Sequence, residues 1–139
     1  MKWLVVLLLF VSFNINDFPV PVVNHFHIKE LRCLELNLHY EARGESISGI
    51  KAVAHVTVNR TKSGKFPSSV CKVIKQAGQF DWVGRSEKIK VSRKIRGAAY
   101  SVLIDKEADH TNGALYFTNK SVQLNKKIVA KIDNHIFYR

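Results

Sequence analysis

An apolar repeat of helical spacing covers residues 28–40 and leads directly into two glutamates, Glu41 and Glu45. Leucines three and four residues apart predict a helix with one buried face. Gly44 predicts its end, because glycine adopts the left-handed C-cap conformation without penalty. A carboxyl group on the last turn of a buried helix lies partly in the core, where desolvation raises its pKa, as a general acid at neutral pH requires. The segment therefore predicts either a catalytic glutamate or an exposed helix end without chemistry.

Three further segments have the apolar period of a helix. They cover about residues 46–60, a short stretch after Ser68 or Ser69, and about 92–104. Ser46 and either Ser68 or Ser69 are suited to the N-cap position. Residues 114–117, Ala-Leu-Tyr-Phe, have extended character. A chain of 139 residues is long enough for one core and too short for two domains. We therefore expect a mainly α (α+β) single domain with a short strand.

The N-terminal residues 1–23 have a composition of their own. Lys2 precedes eleven residues, 3–13, of which all but one are apolar, as in the charged and hydrophobic regions of a signal peptide. This run is shorter than the roughly 20 residues that a membrane span needs. No small-x-small cleavage site follows Phe13, so a signal anchor and a core helix are the alternatives to a cleaved peptide. We expect residues 1–23 to be a signal peptide or signal anchor and the domain to cover residues 28–139.

The formal net charge of +11 is spread along the chain. It includes a basic segment at residues 85–96 and three lysines at positions 126, 127 and 131. Such a surface favours an anionic partner: nucleic acid, anionic lipid or an anionic cell-wall polymer. Binding of single-stranded nucleic acid would need aromatic side chains among the basic ones, and residues 85–96 contain none. Together with the export signal, this favours an extracytoplasmic anion over nucleic acid.

The two cysteines, Cys33 and Cys71, are too few for a disulfide-built scaffold or, alone, a zinc site. Export would allow one bridge between them, but Cys33 lies in an apolar helical repeat, so two buried thiols are an equal alternative. The six histidines are scattered, and the sequence contains no zinc-protease, serine-hydrolase or phosphate-loop motif. We therefore expect no metal and no other cofactor.

A carboxyl acid, loops with polar and aromatic residues, and a basic surface together suit cleavage of a glycan, in which a protonated carboxyl group meets the glycosidic oxygen. Five blocks of the sequence, in order, resemble the cell wall hydrolase SleB family, which contains spore cortex-lytic enzymes and phage or bacterial peptidoglycan hydrolases. The resemblance extends over residues 31–139. The five blocks are residues 33–60, 66–74, 79–82, 109–117 and 135–139.

The resemblance implies a lysozyme-like fold and cleavage of the β-1,4 bond between N-acetylmuramic acid and N-acetylglucosamine. The catalytic glutamate of the family precedes Ala-Arg-Gly and corresponds to Glu41, which leaves Glu45 a structural role. Many family members are lytic transglycosylases that use one acid alone. A hydrolase would need a positioned water and usually a second carboxylate, for which Asp81 and Asp109 are the candidates, although Asp109 fits a turn with Thr111 better.

We expect six residues to line the glycan cleft, although a place in the core is an alternative for two of them, Phe80 and Phe117. The six are Gln79, Phe80, Asp81, Trp82, Tyr116 and Phe117. The sequence departs from the usual family pattern at Ile50, where glutamine is common, at His110, where proline is common, and at residues 121–124, which lack a tryptophan. These departures concern substrate contacts more than the acid.

The prediction is thus a monomeric peptidoglycan-cleaving enzyme, a lytic transglycosylase or muramidase-type glycosidase, exported to the periplasm or cell envelope. Residues 3–23 are a candidate membrane tether. The small size fits a phage endolysin, and a bacterial wall-remodelling enzyme is the alternative role. A different class of function is a non-catalytic basic protein that binds the cell wall or membrane, and a third is a nucleic-acid binder whose N-terminus is not an export signal.

Overall fold

The computed structural model describes residues 24–76, 88–120 and 125–139. In these ranges four helices precede a three-stranded antiparallel sheet, which confirms the predicted mainly α class. The elements are α1 (His25–Ala42), α2 (Ile47–Lys62), α3 (Val70–Ile74), α4 (Arg93–Leu103), β1 (Tyr116–Thr118), β2 (Ile128–Ile132) and β3 (His135–Tyr138). The predicted extended segment overlaps β1, whereas the sequence pattern did not predict β2 and β3.

The N-terminus of each of these helices is capped by a polar side chain. In all four cases the side-chain oxygen accepts a hydrogen bond from the backbone N–H three residues later, which satisfies a donor that the helix itself leaves free. The predicted cap at Ser46 is confirmed, and Ser69 rather than Ser68 caps α3. Helix α1 begins before the apolar repeat, after an asparagine. The caps are Asn24, Ser46, Ser69 and Ser92.

The end of α1 differs from the prediction in its conformation. Arg43 has right-handed dihedral angles, φ −60° and ψ −25°, and Gly44 does not have a positive φ. The amide of Glu45 instead donates to the carbonyl of Ala42 at 3.0 Å. The helix therefore ends near Gly44, as predicted, but without a left-handed glycine cap, and residues 43–46 connect it to α2.

The sheet has the strand order β1-β3-β2. Tyr116 of β1 lies opposite Tyr138 of β3, and β2 joins β3 through a tight turn at Asp133 and Asn134. Asp133 has a φ of +50°, a left-handed conformation that aspartate and asparagine tolerate better than most residues. The β2–β3 turn points its polar side chains toward the connection between α1 and α2.

Helix α2 is the centre of the core, because it packs against the other three helices and against β1 and β2. Fully burying one aliphatic side chain contributes roughly 1.5–3 kcal/mol, so this shared core is the main source of stability. It holds α1, α2 and α4 against one another. The fully buried apolar side chains include Leu34, Leu38, Ile50, Val53, Ile95, Ala99 and Phe137.

A disulfide between Cys33 and Cys71 joins α1 to α3, which decides between the two states that the sequence left open. Beside it, the buried carboxylate of Glu30 accepts hydrogen bonds from the amides of Val70 and Cys71 at 2.5 and 3.3 Å. A carboxylate at a helix N-terminus satisfies donors that the helix leaves free. The short helix α3 is therefore attached to α1 both covalently and by this cap.

The predicted signal peptide or anchor, residues 1–23, lies outside the described residues, so this boundary stays a prediction. Within the three described ranges, none of the helices combines the length and the apolar character that crossing a bilayer requires.

Candidate active site

Glu41 lies in the last turn of α1, on the face that packs into the core. Asn37 and Leu38, four and three residues earlier on the same face, are fully buried, whereas Glu41 is partly exposed. Asn37 Nδ2 donates to Thr57 Oγ1 at 3.1 Å, which ties α1 to α2 one turn before the glutamate. The carboxyl group therefore lies where the buried stripe of α1 reaches the surface, as the sequence predicts.

A surface cavity of about 390 Å³ lies on a different side of α1. It is lined by His39 and Arg43, which are 3.3 Å apart between Nε2 and Nη1, together with residues 90–92 and Ile95. His39 and Arg43 are each two residues from Glu41, which corresponds to a rotation of about 200° around the helix. Burial, together with Arg43 and Arg32, lowers the pKa of His39. This cavity is therefore not formed by the side of α1 that carries Glu41.

The connection that follows Glu41 is held by the β2–β3 turn. Ser46 donates two hydrogen bonds to Asp133 Oδ2, from its amide at 2.9 Å and from its hydroxyl at 2.6 Å. Asn134 donates to the carboxylate of Glu45, from its amide at 3.3 Å and from Nδ2 at 3.1 Å. We call these four residues the hairpin latch. They confirm the structural role predicted for Glu45.

The hairpin latch requires a glycine in the first turn of α2. A Cβ atom at Gly49 would overlap Asp133 Oδ2 and come within 2.9 Å of the Cβ atom of Glu45. From α4, Lys94 Nζ donates to the carbonyl of Glu45 at 2.9 Å. Ile50, the departure from the family pattern, is fully buried in the core, and its amide donates to the carbonyl of Ser46 at 2.9 Å. Helix α4, helix α2 and the β2–β3 turn thus converge on a point four residues after Glu41.

The two described aromatic residues of the predicted cleft, Tyr116 and Phe117, lie on opposite faces of the sheet because they are adjacent in β1. Tyr116 stacks on Tyr138 with ring centroids 5.3 Å apart, and its ring is also contacted by the cations of Arg60 and Lys126. The Tyr116–Tyr138 pair lies at the end of β3 that is farther from the hairpin latch, about 10 Å along the strand from the first residue of β3.

Phe117 faces the core side of the sheet. Its ring packs edge-on against His135 at 5.2 Å and lies 6.3 Å from the fully buried ring of Phe137. Burial lowers the pKa of His135 although Glu45 and Asp133 oppose the shift. Phe117 therefore has the core contacts that were the alternative to a cleft position, and the structure does not bring it onto the same surface as Tyr116.

Asp109 holds a turn through hydrogen bonds to both of its carboxylate oxygens. Its Oδ1 accepts from the amide and hydroxyl of Thr111, both at 2.7 Å, and its Oδ2 accepts from Asn59 Nδ2 and the amide of Gly113, both at 2.9 Å. Burial raises the pKa of Asp109, but these hydrogen bonds outweigh it and lower the pKa to about 2. We call Asp109, Asn59, Thr111 and Gly113 the aspartate hub. The turn predicted for Asp109 is confirmed.

His55 is buried beside this hub, with Nδ1 3.9 Å from Asp109 Oδ1. Burial lowers the pKa of His55 despite the opposing charges of Asp109 and Glu107, so the ring is neutral at neutral pH. Across the described residues, no three histidine, cysteine or acidic side chains converge in a way that could hold a metal ion.

Four predicted cleft residues, Gln79, Phe80, Asp81 and Trp82, belong to residues 77–87, which lie outside the described part of the chain. Residues 121–124, where the tryptophan is missing, lie outside it too. The expectation that the first four line a cleft stays a prediction.

The β2–β3 turn of the hairpin latch was not predicted from the sequence. The signal was present, because the turn-forming pair Asp133-Asn134 separates two runs of apolar and aromatic residues, 128–132 and 135–138. At the other end of α2, Arg60 Nε donates to the carbonyl of Leu115 at 2.7 Å. That bond attaches the C-terminal end of α2 to the start of β1.

Comparison with known proteins agrees with this architecture. The cell wall hydrolase family matches residues 44–138, beginning three residues after Glu41. A spore cortex-lytic enzyme of Bacillus cereus is 30% identical over 121 residues, which cover 84% of this chain and 46% of the relative. The chain therefore spans about half the length of that curated relative.

Two solved structures have the same fold. The catalytic domain of the Bacillus cereus SleB protein matches with a TM-score of 0.73 and 26% identity, over 84% of this chain and 94% of that one. The catalytic domain of the germination-specific lytic transglycosylase SleB from Bacillus anthracis matches with a TM-score of 0.72 and 26% identity, over 84% and 98%. The chain therefore belongs to the cell wall hydrolase family and is an enzyme domain with the lysozyme-like fold of the SleB catalytic domain.

Proposed function

We propose that this protein cleaves the β-1,4 bond between N-acetylmuramic acid and N-acetylglucosamine in peptidoglycan, with Glu41 as its acid. The observation that carries the proposal is the position of Glu41, at the end of the buried face of α1 and partly open to solvent. Such a site places a carboxyl group against apolar neighbours while a polymer can still reach it. The likeness to a SleB lytic transglycosylase domain supports the same reaction.

The proposed mechanism is that of a lytic transglycosylase. Glu41 donates its proton to the glycosidic oxygen as the bond from that oxygen to the anomeric carbon breaks. The resulting carboxylate then removes the proton of the muramic 6-hydroxyl group, and this oxygen bonds to the anomeric carbon and closes a 1,6-anhydro ring. One glutamate is thereby returned to its starting state, and no water is consumed.

The partners of three other described carboxylates support a single acid. In the hairpin latch, the carboxylate of Glu45 accepts from Asn134 and that of Asp133 accepts from Ser46. In the aspartate hub, Asp109 accepts four hydrogen bonds. A hydrolase of the two-carboxylate type would place its second carboxylate opposite the acid across the scissile bond. Asp81, outside the described residues, is the candidate for that alternative.

The remaining parts of the proposal concern the cleft and the location. We propose that residues 79–82 and the ring of Tyr116 contact the glycan, and that Phe117 supports β1 from the core side. Residues 1–23 direct export or tether the protein, residues 28–139 form the catalytic domain, and the protein acts as a monomer outside the cytoplasm. A phage endolysin and a bacterial wall-remodelling enzyme are both compatible with this activity.

The test compares the wild-type protein with Glu41→Gln and, as a matched control, Glu107→Gln. Purified sacculi are the substrate, and released muropeptides are measured by mass spectrometry. Removing the acid should reduce release by about 1000-fold, whereas sacculus binding and the activity of the control stay at the wild-type level.

Undiminished release by Glu41→Gln would refute the assignment. If the wild-type protein binds sacculi but releases no muropeptides, the alternative of a non-catalytic wall-binding protein is favoured instead. Products with an anhydro end are lighter by one water than products with a reducing end, so the same spectra separate the transglycosylase from the hydrolase.

A further inference from the structure

The hairpin latch is unusual because it joins distant parts of the chain through side chains that are largely exposed. Its partners are separated by 87 and 89 residues in the sequence. Ser46, Asp133 and Asn134 are exposed, and Glu45 is partly exposed. Hydrogen bonds and charges at an exposed site contribute little net free energy, because water and salt compete for the same groups. Stability alone is therefore a weak explanation for this set of contacts.

The latch also constrains residue choice at two positions. Asp133 has a φ of +50°, a conformation that glycine would adopt at lower cost. Glycine, however, has no carboxylate to accept hydrogen bonds from the amide and hydroxyl of Ser46. Gly49 has no side chain, and any Cβ atom there would displace Asp133. One position thus accepts an unfavourable conformation, and the other gives up the side chain of a helical residue. Both choices keep the β2–β3 turn against the start of α2.

The geometry links this contact to the end of α1. Residues 43–46 are a short connection, and the hydrogen bond from the Glu45 amide to the Ala42 carbonyl closes its first turn. Lys94 donates to the carbonyl of Glu45, and Asn134 donates to the side chain of Glu45. Asp133 accepts from the next residue, Ser46. A movement of this connection is transmitted to the last turn of α1, because Arg43 follows Ala42, the last residue of that helix, directly.

We propose that Asp133 and Asn134 are positioning residues for Glu41: they clamp the connection after α1 so that the Glu41 carboxyl group is presented in one orientation. This inference rests on the proposed function of Glu41 and deepens it. Neither residue needs to touch the substrate. Their effect reaches the reaction through the backbone of residues 42–46, and displacement of a reacting group by about 1 Å can cost up to 100-fold in rate.

The experiment compares Asp133→Ala, Asp133→Asn and the control Asp105→Ala, which removes an exposed aspartate just after α4. Release of muropeptides gives kcat and KM, and the carboxyl carbon of Glu41 is titrated by NMR in each protein. Asp133→Ala should lower kcat about 10-fold with KM changed less than about 2-fold, because the acid is misplaced while the glycan still binds. Asp133→Asn keeps an oxygen for Ser46 and should restore most of kcat.

The same variant should shift the titration midpoint of Glu41 by about half a pH unit, whereas Asp105→Ala should leave it unchanged. Wild-type kcat together with an unchanged midpoint in Asp133→Ala would overturn the proposal. If the wild-type protein releases no muropeptides, the proposed function fails, and the titration then decides the positioning role by itself. Should Asp133→Ala not fold, Asn134→Ala tests the other half of the latch with the same two readouts.

Discussion

The two ends of α2 are attached to the rest of the molecule in different ways. At the N-terminal end, the hairpin latch uses exposed side chains and brings together three elements near Glu41. At the C-terminal end, the aspartate hub and Arg60 use buried or half-buried groups and bind the backbone of residues 113–115. Buried hydrogen bonds are costly to break, because a buried donor or acceptor that loses its partner cannot bond to water instead. The C-terminal end is therefore built for stability, and the N-terminal end fits the positioning role proposed for the hairpin latch.

Arg60 illustrates the C-terminal end. Only 5% of its surface is exposed, and its guanidinium lies 4.9 Å from the ring centre of Phe66 and 5.6 Å from that of Tyr116. Burial lowers the pKa of Arg60, yet an arginine remains charged at neutral pH. Its cation therefore satisfies a carbonyl and packs on two aromatic rings at once. Ser46 of the latch is, by contrast, exposed.

The largest predicted loss of stability comes from a site outside both ends. Replacing the disulfide in a Cys33→Ala/Cys71→Ala variant should lower the free energy of unfolding by about 4 kcal/mol, because the bridge closes a loop with a sequence separation of 38. Urea denaturation measures the change. Well below the melting temperature, kcat should stay at the wild-type value, because neither end of α2 has changed. A fall in the kcat of this variant well below its melting temperature would show that stability and the orientation of Glu41 cannot be separated, and the contrast between the two ends of α2 would not hold.

An intermediate effect should follow from Gly49→Ala at the N-terminal end. The new methyl group overlaps Asp133, so the free energy of unfolding should fall by about 2 kcal/mol and kcat should fall with it. The matched control is Gly97→Ala in α4, where a Cβ atom meets nothing within 4 Å. Because alanine is favoured over glycine inside a helix, this control should gain about 0.5–1 kcal/mol and keep its kcat.

Denaturation curves and muropeptide release measured on both glycine variants separate the alternatives. If Gly49→Ala lost stability but retained kcat, the latch would serve the fold alone. If both variants behaved alike, the overlap with Asp133 would not govern the site.

Local signals made the helices predictable. Each helix start depends on a cap that bonds three residues ahead, so Ser46 could be identified, and the cap of α3 narrowed to Ser68 or Ser69, without knowledge of the fold. The position of Glu41 followed from the same periodicity, because the residues that share its face precede it by one turn. The left-handed cap at Gly44 was wrong, since a glycine permits that conformation but does not impose it.

Contacts between distant residues were not predictable in this way. Nothing near Ser46 in the sequence indicates that its partner is Asp133, and the pairing of Cys33 with Cys71 depends on the packing of α3 against α1. The opposite directions of Tyr116 and Phe117 follow from strand geometry once β1 is known. Sequence similarity suggested both as cleft residues, whereas the sheet assigns them to different faces.

The smallest predicted effect concerns the pH dependence of the C-terminal end. The folded-state pKa of Asp109 is lowered to about 2 from an ordinary value of 3.8, so the unfolded chain binds this proton first as the pH falls. The stabilisation is therefore complete above about pH 4 and is lost toward pH 2. Because the carboxylate keeps partial contact with water, we expect a loss of about 1 kcal/mol rather than the full value for such a shift.

Urea denaturation of the wild-type protein and Asp109→Asn between pH 5 and 2 measures the difference. The variant should be less stable at pH 5 and should lack this part of the acid dependence; equal slopes in the two proteins would mean that the hub does not supply the stability of this end.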